Sequence, residues 1–395
     1  MPRGCPMGPP DPCRQALERP GLSRIRLQYD RQGTLLTRYD DVRTALRSDR
    51  LSSALHQLPP VMDGQSPPGW FFGMDGPGHA RHRRVLAKKF SATRMRRFTP
   101  VIRELVDGLL DTVERRLTGP DGTADLMAEL AWPVSVQVPS ALLGIPGDDQ
   151  AWFKRQIDAL IDPGLSREEI TGVYRDMWQH MRDRVRAERD GPGGRGLIGE
   201  LIAEQDGPDG FGDAEIASIG LSLRIAGFDP VAHLLGLGLL ALMSRPEQLR
   251  LVREEPGIRA NAIEELLRFV PFNNMGAVRV AAEDTEVDGE RIARGEVVVT
   301  SLVTANRDTA VFPDPDALDV TRANAAHHLA FGHGAHRCLG QHLAREVIAV
   351  VLDRLLERFP RMRLAVPAEQ VPPFESAGFY GVAELPVTLR PPRTP

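Results

Sequence analysis

A glycine-rich segment with one cysteine, followed directly by a long amphipathic helix, constrains this chain more than any other feature. Residues 331–340 read Phe-Gly-His-Gly-Ala-His-Arg-Cys-Leu-Gly, and the apolar stripe of the following helix consists of Leu339, Leu343, Val347, Val351 and Leu355. Cys338 therefore lies at a helix N-terminus, where unpaired N–H groups and the positive end of the helix dipole stabilise a thiolate. Glycines let the backbone approach a flat ligand closely. The segment predicts a site for a planar metal macrocycle, although a lone cysteine before a helix is more often a buried core residue.

Helical spacing of apolar residues dominates the chain. It predicts helices over 40–48, 78–90, 91–117, 124–143, 149–162, 166–190, 213–244, 246–255, 257–269 and 339–359. Alternating or β-branched runs predict short strands over 24–29, 33–37, 279–280, 285–287, 296–300 and 385–389. The predicted fold class is therefore mainly α with a small β part. We expect a flexible N-terminal arm over residues 1–20 and a single domain over residues 21–395.

Composition and charge narrow the functional classes. The 395 residues are 42% hydrophobic, which is enough for a continuous core, and the net charge of -4 argues against nucleic acid as a partner. Residues 1–13 lack the apolar core of a secretory signal, and the apolar stretch 231–243 is shorter than the roughly 20 residues that cross a bilayer, so we expect no membrane association. Three scattered cysteines fit a reducing cytoplasm, with Cys5 and Cys13 exposed in the arm.

The pattern Phe331-Gly332-x-Gly-x-His336-x-Cys338-Leu-Gly340 resembles the haem-binding loop of the cytochrome P450 family. The resemblance implies the fold of that family, a triangular helical prism with a long central helix over the haem. It also implies haem b as the cofactor, with the Cys338 thiolate as the iron ligand and with Phe331, Gly332 and Gly340 beside the cofactor.

Further motifs extend the resemblance over almost the whole chain. Glu265-Leu-Leu-Arg268 places an acid and a base on one helix face. In that family, a Glu-x-x-Arg pair supports folding and haem retention rather than chemistry. Buried haem propionates need cationic hydrogen-bond donors, and the resemblance assigns this role to His79, Arg83, Arg279 and His336.

The predicted helix 213–244 contains Ala226-Gly227-Phe228-Asp229-Pro230, which is similar to the family's Ala-Gly-x-Asp/Glu-Thr segment above the iron. In the family, the small residues leave room for dioxygen, and the acid and the alcohol help to deliver protons. Here the acid is Asp229, but Pro230 stands where the alcohol would be. Proline has no N–H, so it frees the Ala226 carbonyl and bends the helix. Either the kink has no functional meaning, or a substrate hydroxyl, an amide or a water replaces the alcohol, or the reaction differs from ordinary hydroxylation.

The resemblance also places several segments over the substrate, which we expect to be a small aromatic molecule with amide or similar polar groups. Aromatic residues of an ordinary core would give the same pattern. The candidate contacts are Trp70, Phe71, Phe72, Phe228, His233, Phe272, Asn273, Asn274, Phe379 and Tyr380.

Electrons must reach such a cofactor from outside, because we expect no fused flavin or iron–sulfur domain. The resemblance implies transfer from NAD(P)H through a ferredoxin or flavodoxin and its reductase. Five basic residues are expected near the cysteine loop: Arg81, Arg84, Lys88, Arg337 and Arg345. This basic surface could attract an acidic electron carrier, or it could be an ordinary solvated surface.

Several functions fit this sequence. The first is hydroxylation or epoxidation of a secondary metabolite. The second is oxidative coupling of aromatic rings, as some branches of the family perform with tryptophan-containing cyclodipeptides. The third is a non-catalytic haem-binding sensor or carrier, which the retained Asp229 disfavours. Peroxide-driven chemistry is a further alternative; peroxygenase members also have proline at this position, but they replace the acid by arginine.

Overall fold

The computed structural model describes residues 3–26, 32–54, 68–147, 149–160, 164–191, 196–207, 209–274, 276–376 and 378–390. The α-helices in this part of the chain are α1 Asp11–Glu18, α2 Tyr39–Arg47, α3 Gly76–Lys89, α4 Ala92–Thr118, α5 Trp132–Leu143, α6 Asp149–Leu160, α7 Arg167–Asp190, α8 Gly196–Ala203, α9 Asp213–Met243, α10 Pro246–Glu254, α11 Arg259–Phe269, α12 Leu302–Ala305 and α13 Gln341–Arg358. The strands are β1 Ser23–Arg26, β2 Gln32–Leu36, β3 Leu51–Ser52, β4 Thr123–Asp125, β5 Ala277–Ala281, β6 Thr285–Val287, β7 Glu290–Ile292, β8 Val297–Thr300, β9 Arg363–Leu364, β10 Pro373–Glu375, β11 Tyr380–Val382 and β12 Pro386–Thr388. The predicted class, mainly α with a small β part, is confirmed.

The predicted helices agree with these bounds to within two residues, except the one predicted over 124–143. There the chain forms strand β4 and a π-helical turn, Met127–Ala131, before α5 begins. The Asp125 carboxylate accepts hydrogen bonds from the backbone N–H groups of Met127 at 2.9 Å and Leu385 at 2.7 Å. Because β4 also pairs with β12, this tertiary contact prevents one continuous helix. The last residues of the predicted strand 24–29 and of the predicted helix 149–162 lie outside the described residues.

The largest sheet has the strand order β1-β2-β8-β5-β3. Strand β2 runs parallel to β8, with Thr34 opposite Val298, and the other neighbours are antiparallel. Helix α2 packs against this sheet through apolar side chains that include Val42 and Leu46.

Helix α9 is the centre of the fold and packs mainly against α5 and α7. Its first half belongs to one apolar cluster, with residues of α5, α7 and α8, and its second half belongs to another, with residues of α4, α11 and α13. At 31 residues it is longer than the apolar stretch seen in the sequence, and its length and composition alone would allow it to cross a membrane. Of its most apolar window, 72% is buried inside the protein, so α9 is a core helix.

The N-terminal residues lie against the domain. Helix α1 buries Cys13 and Ala16 against Leu35, Val297 and Val299. Cys5 is exposed as expected, but the expectation that Cys13 is exposed is wrong, because Cys13 belongs to the apolar face of α1.

Candidate active site

A cavity of about 350 Å³ lies between α9 and the cysteine loop, residues 331–340. One wall is a single face of α9, formed by Leu223, Ala226, Gly227, Pro230, Val231 and Leu234. The cysteine loop and the start of α13 form another, through Phe331, Gly332, Cys338, Leu339, Gly340, Leu343, Ala344 and Val347. The two segments that the sequence singled out therefore meet at one cavity.

Backbone geometry fixes the cysteine loop. The N–H of Cys338 donates to the carbonyl of Phe331 at 2.8 Å, which closes the loop on itself. Gly332 and Gly334 have φ of 67° and 73°, in the left-handed region that favours glycine. A Cβ atom on Gly334 would lie 2.4 Å from the Leu46 carbonyl oxygen, so glycine is also needed there for the close approach of α2.

The Cys338 side chain lies deep in the protein, and its accessible surface faces the cavity. Burial raises the pKa of its thiol, against the opposing effects of the Gly340 N–H and of the positive charges on Arg83, Arg345 and Arg337. The Gly340 N–H at the start of α13 thus acts in the direction expected for a thiolate, although burial has the larger effect. A metal cation that coordinates the sulfur would displace the proton.

The four basic residues predicted to bind propionates lie close together. The rings of His79 and His336 stack with 3.9 Å between centroids. Both rings line the cavity, as does Arg83. Arg279 is buried beside them without lining the cavity; its charge acts on His336, and it donates to the Val278 carbonyl at 2.8 Å.

This basic group fits a dianionic ligand. Burial, together with the positive charges of His336 and Arg83, lowers the pKa of His79 to about 4. Asp75 is the carboxylate that bonds to the group, at 2.9 Å from His336 Nε2. Within the described residues, the Arg83 guanidinium has neither a hydrogen bond nor an ion pair, although burial lowers its pKa. The unpaired positive charge of Arg83 beside the cavity therefore favours an anionic occupant.

Glu265 and Arg268 form the predicted ion pair. Arg268 donates to both carboxylate oxygens, at 2.7 and 2.8 Å, and neither side chain is exposed. It also donates to the Asn306 carbonyl at 2.9 Å, and the Asn306 side chain accepts from the Leu329 N–H at 2.7 Å. The pair therefore ties α11 to the chain just before the cysteine loop.

Three of the four predicted catalytic residues of α9 line the cavity: Ala226, Gly227 and Pro230. The fourth, Asp229, is buried on another side of the helix, where burial and the charge of Asp158 raise its pKa to about 7. Its Oδ1 atom has no hydrogen-bond partner among the described residues. Asp229 thus has an environment that holds a proton near neutral pH, but it does not face the cavity directly.

Of the ten predicted substrate contacts, those that line the cavity are Phe71, Phe72, Phe272 and Asn273. The other six do not line the cavity in this structure. Phe228 and His233 of α9 pack instead against Trp132, each with its ring centroid 5.1 Å from that of Trp132.

The remaining four contact other parts of the protein. Trp70 packs edge-on against Phe72 and Tyr174. Asn274 and Tyr380 are buried beneath Arg3, and Phe379 stacks on His233.

Helix α5 supplies cavity residues that the sequence did not indicate. They are Val134, Ser135, Val138, Pro139, Leu142 and Leu143. Almost every face of α5 is apolar, so no periodic signal distinguished the side that faces the cavity. A Cβ atom on Gly227 would lie 3.1 Å from Pro139 Cγ, which shows how closely α5 and α9 pack here.

Most of the predicted basic surface is already paired. Arg81 bonds to Glu215 at 2.8 Å, Arg84 binds Asp209, and Arg345 binds Glu264 through two hydrogen bonds. In the described ranges, the members of this surface without an ion pair are Lys88 and Arg337.

Comparisons with known proteins agree with this site. The family model described as cytochrome P450 matches residues 258–388, which include the Glu265 network and the cysteine loop. Nocardicin C N-oxygenase from Nocardia uniformis subsp. tsuyamanensis is 40% identical over 377 residues, covering 94% of this chain and 93% of that protein.

Solved structures show the same architecture. The LnmA cytochrome P450 hydroxylase from the leinamycin biosynthetic pathway of Streptomyces atroolivaceus S-140 is 40% identical, with a TM-score of 0.84 and 95% of each chain covered. SgvP, a proposed thioether synthase involved in the tailoring step of griseoviridin, is 33% identical, with a TM-score of 0.90, covering 98% of this chain and 97% of that chain.

Proposed function

Since the chain belongs to the cytochrome P450 family and is a haem-thiolate monooxygenase of bacterial secondary metabolism, we propose that Cys338 is its iron ligand. The supporting observation is that the accessible surface of the Cys338 sulfur faces the cavity beneath Ala226, Gly227 and Pro230 of α9. The haem would lie between this loop and α9, with Phe331 and the glycines of the loop against it.

The basic group would hold the two propionates. Arg83, which has no partner among the described side chains, would donate charge-assisted hydrogen bonds. His79 and His336 line the same part of the cavity, and Arg279 adds positive charge behind them. The low pKa of His79 fits a ring that is neutral in the empty site and becomes positively charged only when an anion lies beside it.

When bound, the haem supplies oxygen-dependent oxidation, which a thiolate ligand favours by pushing electron density toward the iron. The protein's own residues position the substrate and manage protons. Asp229 holds a proton near neutral pH on the buried side of α9. Pro230 presents no hydroxyl to the cavity, so a donor from the substrate or an ordered water would take that place. The Ala226 carbonyl, freed by Pro230, offers this donor an acceptor on the cavity wall.

The cavity supports a small, mainly apolar substrate with an aromatic ring. Phe71, Phe72 and Phe272 offer ring surfaces, and the apolar residues of α5 and α9 complete the walls. Asn273 adds an amide, which supports a substrate with an amide or similar polar group.

Two reactions fit this site. Insertion of one oxygen atom is the first, and the names of the hydroxylase and N-oxygenase relatives support it. Bond formation by removal of two hydrogens, including coupling within a tryptophan-containing cyclodipeptide, is the second. Pro230 in place of an alcohol and the similarity to a proposed thioether synthase support it. Product mass separates the two, because insertion adds one oxygen and coupling removes two hydrogens.

Electrons for either reaction come from external redox proteins, as in other bacterial members of the family. We propose a ferredoxin or flavodoxin as the immediate donor. Lys88 and Arg337, the unpaired members of the basic surface within the described ranges, are the side chains best able to attract such an acidic protein.

Reduction of the purified protein in the presence of carbon monoxide tests the iron ligand. A thiolate ligand predicts an absorption maximum at about 450 nm. Cys338→Ala should abolish this band, whereas the matched control Cys13→Ala, which removes another buried cysteine, should retain it. An unchanged spectrum in the Cys338→Ala protein would exclude Cys338 as the ligand.

Pro230→Thr tests the proton arrangement. Restoring an alcohol should change the fraction of electrons that appear in product, or the product distribution. If both stay the same, the missing hydroxyl has no role in the reaction.

A further inference from the structure

The N-terminal segment, residues 3–8, contacts the residues that lie directly behind one wall of the cavity. The Arg3 guanidinium donates to the side-chain oxygen of Asn274 and to the backbone carbonyl of Gly8. The guanidinium also makes a cation–π contact with Tyr380, because its central carbon lies 4.1 Å from the centroid of the Tyr380 ring. Arg3 therefore joins two segments that are distant from it in sequence.

Asn274 holds these two segments together. Its backbone N–H donates to the Gly378 carbonyl at 3.0 Å, and its side-chain amide donates to the Ser376 carbonyl at 3.3 Å. Only 4% of Asn274 is exposed, and its remaining polar atom, Oδ1, accepts from Arg3. Without Arg3, a buried amide oxygen would lose its partner.

The segment next to Asn274 forms the cavity wall. Phe272, Asn273, Gly276 and Ala277 all line the cavity. The Phe272 carbonyl accepts from the Tyr380 N–H at 2.9 Å, so a backbone hydrogen bond joins the wall to the Tyr380 strand.

The N-terminal segment is itself firmly attached. Arg307, a buried side chain, donates to the Met7 carbonyl at 2.7 Å and to the Phe269 carbonyl at 2.6 Å. Further along, Arg14 forms a salt bridge with Asp316 at 2.7 Å, and this pair is partly exposed. Arg3 thus extends from a fixed base rather than from a loose end.

We infer that Arg3 is a positioning residue for the substrate wall: by bonding Asn274 and covering Tyr380, it fixes Phe272, Asn273, Gly276 and Ala277 where they contact the ligand. This inference rests on the proposed function, because it takes the cavity to be the ligand site above the haem. Arg3 itself touches no cavity atom and acts only through Asn274 and Tyr380.

Two ligands of different size test the inference in the haem-loaded protein. Imidazole binds iron without reaching the walls, whereas 4-phenylimidazole places a ring against them, and optical titration gives both dissociation constants. Arg3→Ala should weaken 4-phenylimidazole binding by about fivefold, which is about 1 kcal/mol where tenfold is 1.4 kcal/mol. Imidazole should bind as in the wild type. Arg3→Lys, which keeps the charge over Tyr380, should recover part of the loss.

Arg14→Ala is the matched control, because it breaks an arginine contact of the same N-terminal region without touching the wall. Equal weakening in Arg14→Ala and Arg3→Ala would overturn the inference, as would unchanged 4-phenylimidazole binding in Arg3→Ala. If the wild type shows no optical response to imidazole at all, the proposed function fails instead.

Amide hydrogen exchange gives a readout that needs no ligand. Arg3→Ala should speed exchange at the N–H groups of Asn274 and Tyr380, which bond across the wall, and Arg14→Ala should not. Unchanged exchange at both amides in Arg3→Ala would overturn the positioning role even if the protein binds haem normally.

Discussion

Replacing Asp229 by asparagine isolates the free-energy cost of a buried ionisable group in the central helix. The carboxyl is 6% exposed, its Oδ1 atom has no partner among the described residues, and its pKa rises from 3.8 to about 7. Burial is the main cause, with the negative charge of Asp158 adding to it and Lys154 opposing it. Tyr174 on α7 lies close enough for the Asp229 charge to raise its pKa too. Asparagine keeps the shape of the aspartate side chain but cannot ionise.

The sign and size of the stability change follow from the pKa of Asp229 in the folded protein and in the unfolded chain. Because the folded protein holds this proton more tightly than the unfolded chain, the stabilising contribution is complete below pH 3.8 and is lost as the pH rises through about 7. A pKa difference of about 3 corresponds to about 4 kcal/mol in total, of which about 2 kcal/mol falls between pH 5.5 and 8.5. Asp229→Asn escapes this loss, so its stability relative to the wild type should increase by that amount over this interval.

Urea unfolding followed by tryptophan fluorescence at pH 5.5 and 8.5 measures the difference. Comparing variant with wild type at each pH removes the effects of other titrating groups and of haem loss that both proteins share. Asp176→Asn, at an exposed position on α7, is the matched control and should show no pH-dependent difference. If the stability of Asp229→Asn relative to the wild type is the same at both pH values, Asp229 is not a strained, protonated acid.

Three other changes test the packing around the site. Glu265→Gln leaves the buried Arg268 without its countercharge and should cost about 3–5 kcal/mol, seen as a lower melting temperature and reduced haem content; a wild-type melting curve would contradict this. A Cβ atom on Gly381 would lie 2.1 Å from His233 Nδ1, so Gly381→Ala should destabilise the protein by about 1–3 kcal/mol, and adding His233→Ala should recover part of this in urea unfolding. Pro230→Ala restores a helical N–H and should stabilise by up to about 3 kcal/mol; a loss of stability would show that the surrounding structure depends on the kink.

The spacing of apolar residues located the long helices well, because burying one side of a helix imposes helical spacing on the apolar residues of its sequence. It missed α1, α8 and several two- or three-residue strands, since such short elements form only through tertiary contacts. The N-terminal residues illustrate this: nothing local in residues 3–8 indicates that Arg3 reaches Asn274, a contact across most of the chain's length.

The cysteine loop could be singled out from its glycines and its position before a helix, whereas its basic partners were identified only through the resemblance to the cytochrome P450 family. The structure brings three of these partners, His79, Arg83 and His336, to the same cavity as Cys338. The substrate contacts were predicted less well, because whole segments were assigned without regard to helix faces. Residues 226, 227, 230, 231 and 234 share one face of α9 at 100° per residue, and Phe228 lies away from it. Helical geometry applied to the sequence separates Phe228 from this face, but it leaves His233 at the edge of the face, next to Ala226.

The positions of Asp229 and Pro230 on α9 also determine how protons can reach the cavity. Pro230 faces the cavity and offers no hydrogen, while Asp229 holds its proton on a different side of the helix. Because Asp229 is not among the residues that line the cavity, we expect a water or the substrate itself to be the donor at the reacting atoms. Pro230 has no N–H to donate to the Ala226 carbonyl, and Ala226 lines the cavity, so we propose this carbonyl as the acceptor that holds such a donor. It follows that substrates with a hydroxyl or amide N–H within reach of Ala226 should be oxidised efficiently, and that analogues without one should bind in the cavity yet waste electrons.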